Sequence, residues 1–251
     1  MSLNAALAAG ATLVATAFAI STFDRWSRRR APHEGAWTVS LALFALGSAA
    51  LWWAESRGWS LASFRVFYAA GAILNVPWLA LGTVYLLAGE RIGNRVRSIL
   101  IGLSGVAAGI VLVAPSESIT DPAEMPKGSE LFGVAPRVFA AVGSGVAALV
   151  IIVGAVWSIV RVTRDRAPAM TGRSRVIDDR RRHAAANTLI AVGTLVLSAS
   201  GTLAGRLGQD TAFAVTLLVG ITVLFAGFLT ASTRRVRSER PAQKLAEMVV
   251  G

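Results

Sequence analysis

The chain contains no cysteine in its 251 residues, which excludes disulfides, thiolate metal sites and cysteine nucleophiles. It has only two histidines, His33 and His183, both beside arginines at the ends of apolar runs. A histidine zinc site or a Ser-His-Asp triad within a bilayer cannot be assembled from these two. As axial haem ligands they would lack an apolar pocket. The two lysines, Lys127 and Lys244, lie outside the apolar runs, so a retinal Schiff base on a last helix is excluded. No ionisable side chain occupies the middle of an apolar run. An ion-driven transporter is expected to bury one there and to carry matched broken helices in its two halves, which are also missing. Motifs of the H-E-x-x-H or G-x-S-x-G kind do not occur. The sequence therefore offers no catalytic residue, metal ligand or cofactor site, and a non-enzymatic protein is expected.

What is present is apolar length. Hydrophobic residues make up 54% of the chain and charged residues 16%, with a mean hydropathy of +0.59. That composition belongs in a bilayer. Runs of about 20 residues, the length that spans a membrane, cover 4–23, 36–54, 62–87, 98–115, 138–160, 184–206 and 211–232. The expected fold is an all-α membrane protein, a seven-transmembrane-helix domain over 1–232 with a basic tail over 233–251. Of the 25 Lys and Arg residues, 20 fall in alternate connecting segments and the tail. By the positive-inside rule those segments are cytoplasmic, the N-terminus is outside and the C-terminus inside. The net charge of +11 is thus a topology signal, and nucleic acid is not an expected partner. The expected location is the plasma membrane, the inner membrane of a bacterium, with multiple passes. Ala17-Phe18-Ala19 has the pattern of a signal-peptide cleavage site. No Lys or Arg precedes it, so a retained first helix is the expectation.

Residues 65–90 carry the most distinctive pattern. At about 100° per residue, Tyr68, Gly71, Asn75, Trp78, Gly82, Tyr85 and Gly89 form one stripe. Asn187, Ala191, Thr194, Ser198, Gly201 and Gly205 form a small and polar stripe on the sixth run. Bulky groups opposite small ones predict that the third and sixth helices face each other, with Tyr85 near Asn187 and Asn75 near Thr194 or Ser198. Tyr68, Asn75, Trp78, Tyr85, Asn187, Thr194 and Ser198 are the candidate polar seam. Pro77 lacks an N–H and predicts a kink that frees the carbonyl of Ile73. That kink is either a packing feature or the floor of a ligand cavity.

Charge at the outer ends forms a second candidate group, Glu55, Arg65, Arg206 and Asp210, within which Glu55 and Arg65 are expected to pair. Residues 117–137 carry four acids and three prolines and read as a solvated outer loop. The arginine-rich segment 161–182 either rests on anionic lipid or docks a cytoplasmic protein. Beyond the last run, Pro241 precedes a short amphipathic stretch suited to the inner leaflet.

The segment 52–90, WWAESRGWSLASFRVFYAAGAILNVPWLALGTVYLLAGE, resembles the corresponding stretch of uncharacterised actinobacterial seven-helix integral membrane proteins. More loosely, it is similar to the seven-helix input regions of bacterial sensor kinases. The resemblance implies a seven-helix module and carries over no functional residue. The expected function is a sensor-like or scaffolding module in contact with membrane lipids. The alternative is a facilitator for a neutral or amphiphilic solute, passing through the seam.

Overall fold

The computed structural model describes residues 2–164, 188–190, 192–197 and 210–232. Ser2 opens the first helix, α1 (Leu3–Arg29), by accepting the Ala5 N–H at 3.1 Å. Along α1 the fully buried positions Ala5, Ala8, Ala11 and Ala15 recur at helical spacing. They let a neighbouring backbone approach closely, which is how helices associate where lipid gives little hydrophobic drive. Arg30, in a left-handed conformation, ends α1. Pro32 occupies the first position of α2 (Pro32–Arg57), where its missing N–H costs nothing. The two helices form a tight antiparallel pair.

Gly58 ends α2 at φ 92°, and a reciprocal capping box between Ser60 and Ser63 starts α3 (Leu61–Phe67). The chain then passes without a break through a π-helical turn (Tyr68–Leu74) into α4 (Asn75–Val113). A four-residue helix, α5 (Gly128–Leu131), lies in the loop before α6 (Val134–Arg164). A shorter apolar helix, α7 (Thr188–Leu197), precedes α8 (Asp210–Ser232).

Five of these helical stretches are long and apolar enough to cross a membrane, with Leu61–Val113 counted as one. The protein is therefore all-helical and built for multiple passes. Leu61–Val113 is not one rod, because Gly89 sits at φ 80° and ψ 175°, a backbone region essentially restricted to glycine. Trp78 bonds to Ser104 and Arg65 to Ala114. In a straight helix Trp78 and Ser104 would be about 39 Å apart. The chain reverses at Gly89 into two antiparallel helices, residues 75–88 and 90–113 of α4. The segment 88–97, expected as a loop, is thus helical on both sides of a one-residue turn. Its Glu and Arg residues are good helix formers that continue α4 beyond the apolar run.

Neighbour pairs fix the direction of each segment. Trp37, Ser40 and Gly47 of α2 meet Gly82, Asn75 and Gly71 in turn, so those helices are antiparallel. Gly143 and Gly154 of α6 lie by Pro77 and Thr83, a parallel pair. Gly10, Phe18 and Arg25 of α1 meet Leu218, Phe225 and Phe228 of α8, also parallel. Gly193 and Leu197 of α7 lie by Leu224 and Gly220, an antiparallel pair.

The main core lies between α1, α2, α3 and α8 around Phe18, Phe44, Leu51, Phe64, Phe213 and Ile221. The loop after α4 closes one end of it. Leu131 and Phe132 are buried, and the Phe132 ring packs on Phe64 and Tyr68 at 5.5 and 5.2 Å between centroids. The Trp59 N–H donates to the Pro122 carbonyl at 2.8 Å. Part of the stretch expected as a solvated loop is therefore a cap, tied down by Leu131 and Phe132 with Ile119 and Met125 packed beside them.

Candidate functional site

The polar stripe of the third apolar run was expected to face the sixth. Its described contacts are with α2 and with the residues beyond the reversal at Gly89. Ser40, fully buried on α2, places its hydroxyl 3.0 Å from both the carbonyl oxygen and Oδ1 of Asn75. The indole N–H of Trp78 donates to Ser104 Oγ at 3.2 Å, and the Tyr85 hydroxyl donates to Asn94 Oδ1 at 2.9 Å. Tyr68 sits higher, stacked among Phe64, Phe132 and the backbone of Gly128.

Two glycines, Gly82 of the stripe and Gly93 beyond the reversal, are where neighbouring rings lie. A Cβ on Gly82 would collide with the Trp37 indole of α2. At Gly93, across the hairpin, it would collide with the Tyr85 ring. Asn75, Trp78 and Tyr85 thus form a seam, walled by α2 on one side and by residues 90–113 of α4 on the other.

Thr194 is buried, and its hydroxyl donates to the Ile190 carbonyl of its own helix at 2.8 Å. Its helix packs on α8 through Gly193 and Gly220. Asn187 and Ser198 lie outside the described residues.

In the π-helical turn before Pro77 the Asn75 N–H reaches back five residues to the Ala70 carbonyl. Ser144 of α6 donates to the Ala72 carbonyl, its Oγ lying 2.6 Å from the oxygen. Gly47 of α2 meets the turn from the other side, its added Cβ falling 3.1 Å from the Gly71 nitrogen. Two helices, α2 and α6, therefore converge on the π-helical turn.

The outer charges are not gathered into a cluster among the described residues. Glu55 accepts the Trp59 indole N–H at 3.3 Å. Arg65 turns to the Ala114 carbonyl, with its Nη2 at 2.9 Å, and does not turn to Glu55. Arg206 and the side chain of Asp210 lie outside the described residues.

A charged group that the sequence pattern does not single out lies at the other end. Glu34 is buried at the start of α2, with Oε1 3.8 Å from Arg25 Nε and 3.9 Å from Arg29 Nη1. The Arg25 guanidinium lies 4.4 Å from the centre of the Phe228 ring. One carboxylate thus holds two arginines at the junction of α1, α2 and α8. Its signal was the lone acid at the end of an arginine run. Ser40, Asn94, Ser104 and Ser144 were also missed, although each is a small polar residue inside or beside an apolar run.

Chemically the seam offers neutral donors and acceptors, and Asn75 Oδ1, the Trp78 N–H and the Tyr85 hydroxyl are each engaged by a neighbouring helix. Among the described residues no three His, Asp or Glu side chains gather as metal ligands. No protein-family model matches the chain, and no curated protein matches it.

Proposed function

We propose that the chain is a seven-helix integral membrane protein of the bacterial plasma membrane, with its N-terminus outside and its C-terminus in the cytoplasm, acting as a non-enzymatic sensor-like or scaffolding module. Residues 1–232 form the bundle and 233–251 a cytoplasmic tail. The direction of the segments supports the seven-fold crossing. α1, residues 75–88, α6 and α8 run one way, and α2, residues 90–113 and α7 run the other, once Gly89 divides α4. The basic segments then share one side, where 161–182 and the tail contact anionic lipid or a cytoplasmic protein.

The observation that carries the reading is the occupied seam. Asn75, Trp78 and Tyr85 each bond to a neighbouring helix, and the faces of Gly82 and Gly93 are filled by rings. A solute path needs polar groups free to meet water, whereas these hold helices in register.

The chain has no cysteine, so one introduced thiol is a clean reporter. Ser40→Cys, Ser104→Cys and Ser144→Cys are each treated, in sealed vesicles of both orientations, with a membrane-impermeant maleimide. The closed seam predicts no labelling from either side. Labelling of two or more of them from both sides would establish a water-filled path and replace this reading with the facilitator.

A further inference from the structure

Between α2 and α3, away from the seam, the surface carries a groove of about 300 Å³ lined by Leu46, Ala50, Trp53, Ala62 and Val66. The groove opens sideways, since Leu46, Trp53 and Val66 are 51%, 54% and 41% exposed. Two serines also border it, Ser60 and Ser63, and their hydroxyls are engaged in the capping box. The groove therefore presents carbon to whatever lies in it.

Its mouth carries a charge. Arg57, in the last turn of α2, lies with its guanidinium 4.8 Å from the centre of the Trp53 ring. Among the described residues it forms no ion pair. The ring holds the guanidinium in place by a cation–π contact and leaves its N–H fork available for an oxyanion. From Leu46 to Arg57 the helix rises about 16 Å, close to the ~15 Å of hydrocarbon in one leaflet. An apolar trough that runs about 10 Å along α2 from Leu46 to Trp53, with Arg57 one turn beyond it and in no ion pair among the described residues, matches a lipid in both shape and charge.

We propose that this groove seats a phospholipid: one acyl chain lies along α2 and α3 from Leu46 to Trp53, and the phosphate is held by Arg57. Bulk lipid already satisfies apolar surface, so selectivity comes from packing of the chain in the trough and from the phosphate contact. The site lies at the opposite end of α2 from the arginines of the α1–α2 junction and does not depend on the role proposed for the cytoplasmic face.

The test is native mass spectrometry of the full chain, delipidated in mild detergent and titrated with phosphatidylglycerol. Arg57→Gln removes the charge at an exposed position. Ala62→Phe fills the trough from another exposed position, and Ala50→Leu is the second trough variant should the first fail to fold. Melting temperatures without lipid establish that each variant is folded. Wild type is expected to retain one phosphatidylglycerol, Arg57→Gln to weaken binding about fivefold, and the trough variant to weaken it further. Glycerol phosphate, which has no acyl chain, is expected to give no adduct. Equal retention by wild type and the trough variant would overturn the proposal, leaving at most a surface charge contact. Undiminished retention by Arg57→Gln would remove the phosphate from it.

Discussion

Replacing Ser40 and Asn75 singly and together tests the contact at the centre of the seam. The Ser40 hydroxyl has one proton and two acceptors at 3.0 Å, the Asn75 carbonyl and Asn75 Oδ1. It makes at most one full hydrogen bond at a time. The coupling between the two residues is therefore bounded by one interhelical bond, about 0.6 to 2 kcal/mol in a membrane protein. Ser40→Ala is expected to cost about 1 kcal/mol, the value of that bond. Asn75→Leu removes Oδ1 but leaves the backbone carbonyl as acceptor for the Ser40 hydroxyl, so its net cost is smaller. In the double variant the loss falls short of the sum by the share of the bond that Oδ1 carries. The assay is reversible unfolding in detergent–SDS mixtures for all four proteins, with thermal melting as a cross-check. Additivity within about 0.3 kcal/mol would refute the reasoning, because the two side chains would then not share a bond.

Glycine and charge substitutions elsewhere have equally definite outcomes. Gly89→Ala forces a Cβ onto a backbone at φ 80° and ψ 175° and should cost about 1 to 3 kcal/mol, read as a lower melting temperature; an unchanged value would contradict the turn. Gly82→Ala drives a methyl into the Trp37 indole, with Cε2 2.7 Å from the new carbon, and should cost about 1 to 3 kcal/mol. Gly102→Ala, which meets nothing within 4 Å, should be neutral or stabilise by up to about 1 kcal/mol; the reverse order of the two would show that Trp37 does not lie there. Glu34→Gln leaves the largely buried Arg25 without its carboxylate and should destabilise by about 1 to 3 kcal/mol, and a melting temperature equal to wild type would mean that Arg25 reaches water.

Helix content and the placement of apolar runs were legible because each is a local property: length, hydropathy and the arginines between runs. The reversal at Gly89 was also legible as a boundary, although its form was not. Arg91 and Arg95 fall between two apolar runs and so in a connecting segment by hydropathy, yet charge does not oppose helix once the chain has left the apolar region. Asn75, Trp78 and Tyr85 bond to Ser40, Ser104 and Asn94, none of which the stripe pattern points to, while Asn187 and Ser198 lie outside the described residues. The stripe was read at a constant 100° per residue, whereas a π-helical turn takes in an extra residue and rotates the helix beyond it by about that angle. That rotation separates Tyr68, which joins the aromatic cap, from Asn75, which turns to Ser40. No periodicity in the sequence announces such a turn, since the bonds that sustain it come from Ser40 and Ser144 on other helices.

The single-residue turn at Gly89 also bears on how the chain enters the bilayer. Residues 75–88 and 90–113 satisfy each other's polar side chains through Trp78 with Ser104 and Tyr85 with Asn94. If the two cross as one hairpin, neither half carries those groups into lipid unpaired, and the expected insertion unit is then the pair. A reporter or epitope spliced at Gly89 would separate them during translocation, whereas one placed in the exposed stretch 121–124 would leave that unit whole.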